Sequence, residues 1–451
     1  MMNEKTRELA TLPIPRLMLN YFIPAFIGVF LNALYNIVDR IFIGQGVGSM
    51  ALSGVSATFP IMLIVMGFGM LIGIGAGVLV SINLGKHDMN KAEQVLGSSF
   101  LLMILVAVLI TIIGFAIKNP LLHSFGATPQ TIAYANDYMD IILAGTIFQV
   151  VGFSLNNIIR AEGNAKVAMY SMIISAGTNI ILNPIFIFGL HMGVKGSAYA
   201  TVISMILLTI WVLFHFRSKR SVVKLKAENI RFDRKILLEI IAIGMAPFFM
   251  QIANSFVQGL LNTKLIAFGG DLAVGAMGIV NSVVTLIVMA IVAINMATQP
   301  IISFNYGAKS FHRVKETLRL AIISATIISI LAFIGVETLP HAIVKLFNST
   351  DEGLLTFGVD GLKLALMALP IIGFQVVTGN FFQSVGNAKI AVLLTLLRQV
   401  IILIPLIFIL PHYFGLRGIW IAMPISDLCA AIIVVFFLVN HWKKLSVAKY
   451  N

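Results

Sequence analysis

Along the chain, long apolar runs alternate with short polar breaks, and the runs are too long for the core helices of a water-soluble fold. A bilayer core takes about 20 mostly apolar residues per helix. Runs of that length fall near 17–43, 54–84, 95–117, 137–159, 167–190 and 194–216, and again near 237–263, 273–305, 317–339, 358–384, 389–411 and 415–440. The pattern predicts an all-α integral membrane protein with 12 transmembrane helices. An even number of crossings puts both termini on one side.

The two sets of six repeat each other. Gly163-Asn-Ala-Lys166 recurs as Gly386-Asn-Ala-Lys389, and Gly193-Val-Lys-Gly196 as Gly415-Leu-Arg-Gly418. Pro24 pairs with Pro247, and Asn83-Leu-Gly85 with Asn305-Tyr-Gly307. The offset stays at 222–223 positions throughout. Six spans per half make the repeats parallel, giving two pseudo-symmetric six-helix bundles, an arrangement used by transporters whose lobes rock about a central site. The expected organisation is an N-terminal lobe at 1–216, a basic linker at 217–235 and a C-terminal lobe at 236–451. Prolines inside the runs, among them Pro60, Pro184, Pro370 and Pro424, each remove a helix hydrogen bond and favour kinks. Gly69, Gly73 and Gly77 lie one turn apart and read as a close helix contact.

Charge changes the picture by its position. Only 11% of the 451 residues are charged, against roughly 25% in soluble domains, and the net charge is +13. With the N-terminus inside, the inner segments carry 23 Lys and Arg and the outer segments 7, which predicts cytoplasmic termini. The run from Arg217 to Lys235 holds eight basic residues and reads as a positive-inside loop, with nucleic acid or lipid headgroups as the less favoured partners. The lone Cys429 sits in an apolar run and excludes an intramolecular disulfide. No small-residue cleavage site precedes the first run, which reads as an uncleaved span.

Ionisable groups at bilayer depth are costly and usually functional. Asp39, Arg398 and Asp427 lie well inside runs. Asn32, Asn36 and Asp39 share one helical face, by their spacing of i, i+4, i+7. Desolvation ties the charge of such a carboxylate to whether a proton is bound, so Asp39 reads as a group that loads and unloads a proton; the alternative is a solvated helix end. Asn179 and Asn183 lie one turn apart before Pro184, and Ser197, Thr201 and Ser204 share a face of the sixth run. They read either as further oxygens for that site or as inter-helix packing bonds. The seventh run carries Gln251, Asn254, Gln258 and Asn262 on one face, polar but unable to titrate. Arg398 and Asp427 lie at similar depth on the last two runs. A salt bridge is the simplest way to bury both, and contact of Asp427 with a cationic substrate is the functional alternative. Asn32, Gln251, Asn254, Gln258, Arg398 and Asp427 are therefore the expected lining of a substrate cavity. The expected cation site is Asp39 with Asn36, Asn179, Asn183 and Thr201. The eight His are scattered without metal-ligand spacing, and no nucleophile–base pair is evident, which argues against an enzyme and against a bound cofactor.

Five elements together resemble the multidrug and toxic compound extrusion (MATE) family, in its MepA-like bacterial branch, over nearly the whole chain. They are the run Leu31-Asn-Ala-Leu-Tyr-Asn-Ile-Val-Asp39-Arg40, the turn Arg160-Ala-Glu-Gly-Asn164, the element Asn179-x3-Asn183-Pro184, Leu397-Arg398-Gln399, and Pro424-Ile-Ser-Asp427. The resemblance implies antiport at a bacterial inner membrane, with H⁺ or Na⁺ entering while a lipophilic, often cationic compound leaves a monomer. It implies that Asp39 is the coupling carboxylate. The chain departs from many relatives in having Asn183 where they carry Asp, and only amides in the seventh helix. A lipid-linked oligosaccharide flippase of the same superfamily is the competing expectation; it calls for a strongly basic cavity, and Arg398 alone makes a poor one.

Overall fold

The structure, a computed structural model, describes residues 4–347 and 352–447; the last residues of the expected C-terminal lobe, 448–451, lie outside them. Helices dominate. A short α1 (Glu4–Thr11) precedes α2 (Ile14–Gly46), α3 (Ser49–Gly85), α4 (Met89–Ser124), α5 (Ile132–Ala161), α6 (Ala165–Pro184) and α7 (Gly193–Arg217). After the linker come α8 (Arg234–Gly307), α9 (Phe311–Thr338), α10 (Pro340–Phe347), α11 (Glu352–Ala365), α12 (Leu369–Ser384), α13 (Ala388–Leu396) and α14 (Leu403–Val447).

Length decides how many of these cross. At 1.5 Å per residue the 74 residues of α8 run on the order of 110 Å, several times a bilayer core. The helix is broken at Gly270 (φ 66°, ψ −162°), leaving Arg234–Gly270 and Leu272–Gly307 as two spans. The apolar stretch Ala388–Lys443 is likewise interrupted at Gly415 (φ 56°, ψ −138°). The expected run at 358–384 is a bent pair, α11 and α12 meeting at 51°. Pro370 opens α12 and cannot donate to the turn before it, so α11 does not continue through. With these breaks the described residues accommodate the twelve crossings.

The duplication is written into the backbone as well as the residues. Positive φ recurs at the same offset: Gly48 with Gly270, Gly163 with Gly386, Gly193 with Gly415, and His87 (61°) with Lys309 (56°). Each marks a helix end where the chain reverses. Two diverged halves have kept the same four turning points.

Two compact units emerge, one from Met1–Phe248 with Ser303–Lys309, the other from Phe249–Ile302 with Ser310–Asn451. In the first, α5 is the central helix, packed against α3, α4, α6 and α7, and along the second half of α3 Leu71, Ile72, Ala76, Val78 and Val80 are all buried. A Cβ on Gly73 would come within 2.6 Å of the Ser154 Cα on α5, and Ser154 Oγ donates to the Gly69 carbonyl at 2.9 Å. The glycine stripe is thus a helix contact. In the second unit Gly373 of α12 lies equally close to the Ala325 backbone of α9. The outer flanks of α4 (Leu109, Ile112) and α9 (Ile327, Leu331) are exposed and apolar, the surface a lipid solvent calls for.

Candidate functional site

In the first unit three helices converge on Asp39. The side chain is 8% exposed. Its Oδ1 accepts from Asn183 Nδ2 on α6 and from Ser197 Oγ on α7, both at 2.5 Å. Asn183 Nδ2 also donates to Asn179 Oδ1 at 3.3 Å, and Asn179 Nδ2 donates to Thr201 Oγ1 at 3.1 Å. Local structure explains the convergence. Pro184 ends α6, a π-helical turn at Ile185–Gly189 follows, and Gly196 lets α7 return against the Phe186 backbone, 3.0 Å from where a Cβ would stand. Residues 183 and 197 are thereby brought to the same carboxylate.

The carboxylate is met by neutral donors only. Both donors are neutral, and both fall on Oδ1; among the described residues no donor reaches Oδ2. Asn183 Oδ1 is a buried acceptor with no partner. Arg40, next in sequence, stacks on the Phe59 ring at 4.9 Å. The pocket therefore holds a carboxylate with no ion-pair partner among the described residues, beside amide and hydroxyl oxygens, a donor set that can take a proton or a small hard cation. Of the residues expected there, Asp39, Asn179, Asn183 and Thr201 are joined in one hydrogen-bonded chain. Asn36 is not in it: its Nδ2 donates to the Asn32 carbonyl at 2.7 Å, one turn back on its own helix. Ser197 is the donor that helical-face reasoning grouped with Thr201 without singling it out.

The second unit satisfies its buried carboxylate differently. Arg398 Nε lies 3.2 Å from Asp427 Oδ1, with side chains 31% and 8% exposed. Arg398 sits in a π-helical turn, Leu397–Ile402, and its carbonyl accepts from Ser426 Oγ at 2.6 Å, so the residue before Asp427 anchors the bulge. Gln375 Nε2 donates to the Asp427 carbonyl. On α8, Asn254 Oδ1 accepts from Gln399 Nε2 at 2.5 Å, and Gln258 Oε1 accepts from Asn281 Nδ2 at 3.3 Å. The Gln251 carbonyl accepts from Ser255 Oγ. Gln375, Gln399 and Asn281 were not among the expected lining residues, because lone amides in apolar runs carry no pattern.

Sequence reasoning also passed over Glu162, which it met only as part of a turn. Fully buried, its carboxylate accepts from Asn164 Nδ2 (2.7 Å), Ser221 Oγ (3.1 Å) and the backbone N–H groups of Val222 and Val223 (3.0 and 3.1 Å), and pairs with His215 Nε2 at 2.5 Å. Glu93 pairs with Lys226 at 2.6 Å, and this bond holds the Lys226 ammonium above its usual range. The basic linker is thus fastened to the first unit by two glutamates.

The MatE family profile matches residues 24–185 and 246–409. The multidrug export protein MepA of Staphylococcus aureus (strain MRSA252) is 30% identical over 429 residues, 94% of each chain. The crystal structure of a MATE protein in the bent conformation superposes with a TM-score of 0.94 at 26% identity, covering 100% of both chains. The MATE multidrug transporter DinF-BH, solved as a complex with a ligand, gives 0.89 at 40% identity over 94% of this chain and 95% of that one.

Proposed function

Because the chain belongs to the MatE family, we propose that it is a secondary active antiporter that exports lipophilic, often cationic compounds in exchange for H⁺ or Na⁺. The similarity to MepA and DinF-BH supports the cargo class. The observation that carries the coupling is the Asp39 carboxylate, buried at span depth, held on one oxygen by two neutral donors and paired with no cation of the protein among the described residues. An incoming proton or Na⁺ completes that site. Asp39 Oδ2 and the unpartnered Asn183 Oδ1 receive it, and Asn179 and Thr201 hold Asn183 in place.

In the cycle, the ion loads from outside, the first lobe rearranges, cargo leaves, and the loaded protein turns inward to exchange ion for new cargo by a rocker switch. Each charge moved is worth about 2.3 kcal/mol per 100 mV. At ~150 mV one ion supplies roughly 3.5 kcal/mol, a few-hundred-fold concentration ratio, for a cargo of no net charge. One-for-one exchange against a monocation moves no net charge and is driven by the ion's concentration gradient. The chain works as a monomer in a bacterial inner membrane with both termini cytoplasmic, in keeping with the excess of inner Lys and Arg.

The test is dye efflux from proteoliposomes with H⁺ and Na⁺ gradients imposed separately, on wild type and Asp39→Asn. One gradient drives wild-type efflux, and the variant falls to the protein-free leak. Undiminished efflux by Asp39→Asn removes this carboxylate from the coupling.

A further inference from the structure

We propose that the second unit holds an anion-recognising subsite, centred on Arg398, which takes the carboxylate of an amphiphilic cargo. This deepens the export reading, on which it rests for calling the ligand cargo.

Arg398 lies about ten residues into the stretch that begins at Ala388, well inside a span, yet its side chain is 31% exposed. A guanidinium at that depth does not face hydrocarbon, so its open side faces a polar cleft. The closest approach of Asp427 is from the Nε side, 3.2 Å from its Oδ1. Neither Nη group bonds to the protein among the described residues. An Arg fork with two parallel free N–H groups matches a carboxylate bidentately.

The neighbourhood is donor-rich. Asn254 is bound through its Oδ1 by Gln399, which leaves Asn254 Nδ2 as a further open donor beside the π-helical turn that carries Arg398. Gln399 Oε1 is a buried acceptor without a donor. The pair Asp427–Arg398 lowers the cost of keeping the guanidinium charged at this depth, while Ser426 Oγ holds the Arg398 carbonyl beneath it. The subsite therefore fits a carboxylate next to an N–H or O–H donor, as in a zwitterionic or anionic amphiphile, and it has no counterpart at the Asp39 niche.

The probes are rhodamine B, which carries a free carboxylate, and its ethyl ester, a permanent cation of nearly the same shape. Binding of each to the purified full chain in detergent is read by fluorescence polarisation for wild type, Arg398→Lys and the double variant Arg398→Gln/Asp427→Asn. The double variant removes both charges together and strands neither. The proposal expects the acid-to-ester affinity ratio to fall at least tenfold in the double variant and a few-fold in Arg398→Lys, which keeps the charge but not the fork. Loss of Asp427 alone would push that ratio the other way, so a fall belongs to Arg398. A ratio unchanged within twofold, or wild type that does not saturably bind the acid dye, overturns the subsite. Failure of wild type to export the ester under either ion gradient overturns the export reading instead, while the binding ratio still decides the subsite.

Discussion

The two halves share their turning points and differ in how each treats a buried carboxylate. In the first, Asp39 is held by Asn183 and Ser197, both neutral groups. In the second, Asp427 is matched by Arg398, and taking up a cation there means displacing a guanidinium. At the repeat offset set by Pro24 and Pro247, the position of Asp39 is Asn262, whose Oδ1 accepts from Gln258. The position of Glu162 is Val385, 5% exposed, an apolar side chain with no carboxylate to offer. Duplication preserved the chassis and left each half free to specialise: linker anchorage and the proposed coupling site in one, the proposed cargo subsite in the other.

Copying one half into the other is the strongest way to break this contrast. Glu162→Val installs the second half's residue and leaves His215, Ser221 and two backbone N–H groups without their acceptor. Stranding buried donors costs ~3 kcal/mol or more in total, read as a lower unfolding temperature and faster tryptic cleavage between Lys219 and Lys226. A variant as stable and as protease-resistant as wild type would mean the clasp is incidental. Arg398→Leu leaves Asp427 unpaired and is expected to lose about 2 kcal/mol, the pair being partly exposed, and Arg398→Leu/Asp427→Leu recovers most of it. Additive losses in that cycle would deny the coupling. Asn183→Ala and Ser197→Ala each remove one donor to Asp39, worth ~1.5 kcal/mol, and lower gradient-driven efflux about tenfold. Asn262→Ala stays within about threefold, and an equal loss there would erase the asymmetry between the halves.

The smallest effect lies outside the membrane. Asp233 caps α8, and the backbone N–H of Ile236, helped by that of Lys235, holds its carboxyl below the ordinary range. A depressed folded-state value gives stability that is present above the unfolded value near ~3.9 and is lost as pH falls through the folded one. The melting-temperature difference between wild type and Asp233→Asn is therefore expected at pH 7 and shrinks below about pH 3.9. A difference that grows on acidification contradicts the capping role.

Much of this contrast was legible beforehand, for definite reasons. Span number, the repeat and Asp39 follow from hydropathy, offset and depth, which are properties of the chain itself. Arg398 with Asp427 followed from the cost of burying lone charges at equal depth. What stayed hidden depends on where the backbone departs from regular helix. Ser197 reaches Asp39 because a π-helical turn and Gly196 steer α7, and no helical wheel separates Ser197 from Thr201. Glu162 looked like a helix-end residue, because most of its partners lie 53–61 positions further on. The break between α11 and α12 was hidden inside a continuous apolar run, although Pro370 marks it.

The most direct measurement of the central claim is cargo-driven ion flux. Vesicles loaded with dye and free of any imposed ion gradient are followed with an internal pH indicator and, in parallel, with labelled Na⁺. Outward movement of dye through wild type draws one of the two ions inward, and Asp39→Asn abolishes that counterflow. Dye-driven ion entry through Asp39→Asn at the wild-type rate would contradict the account.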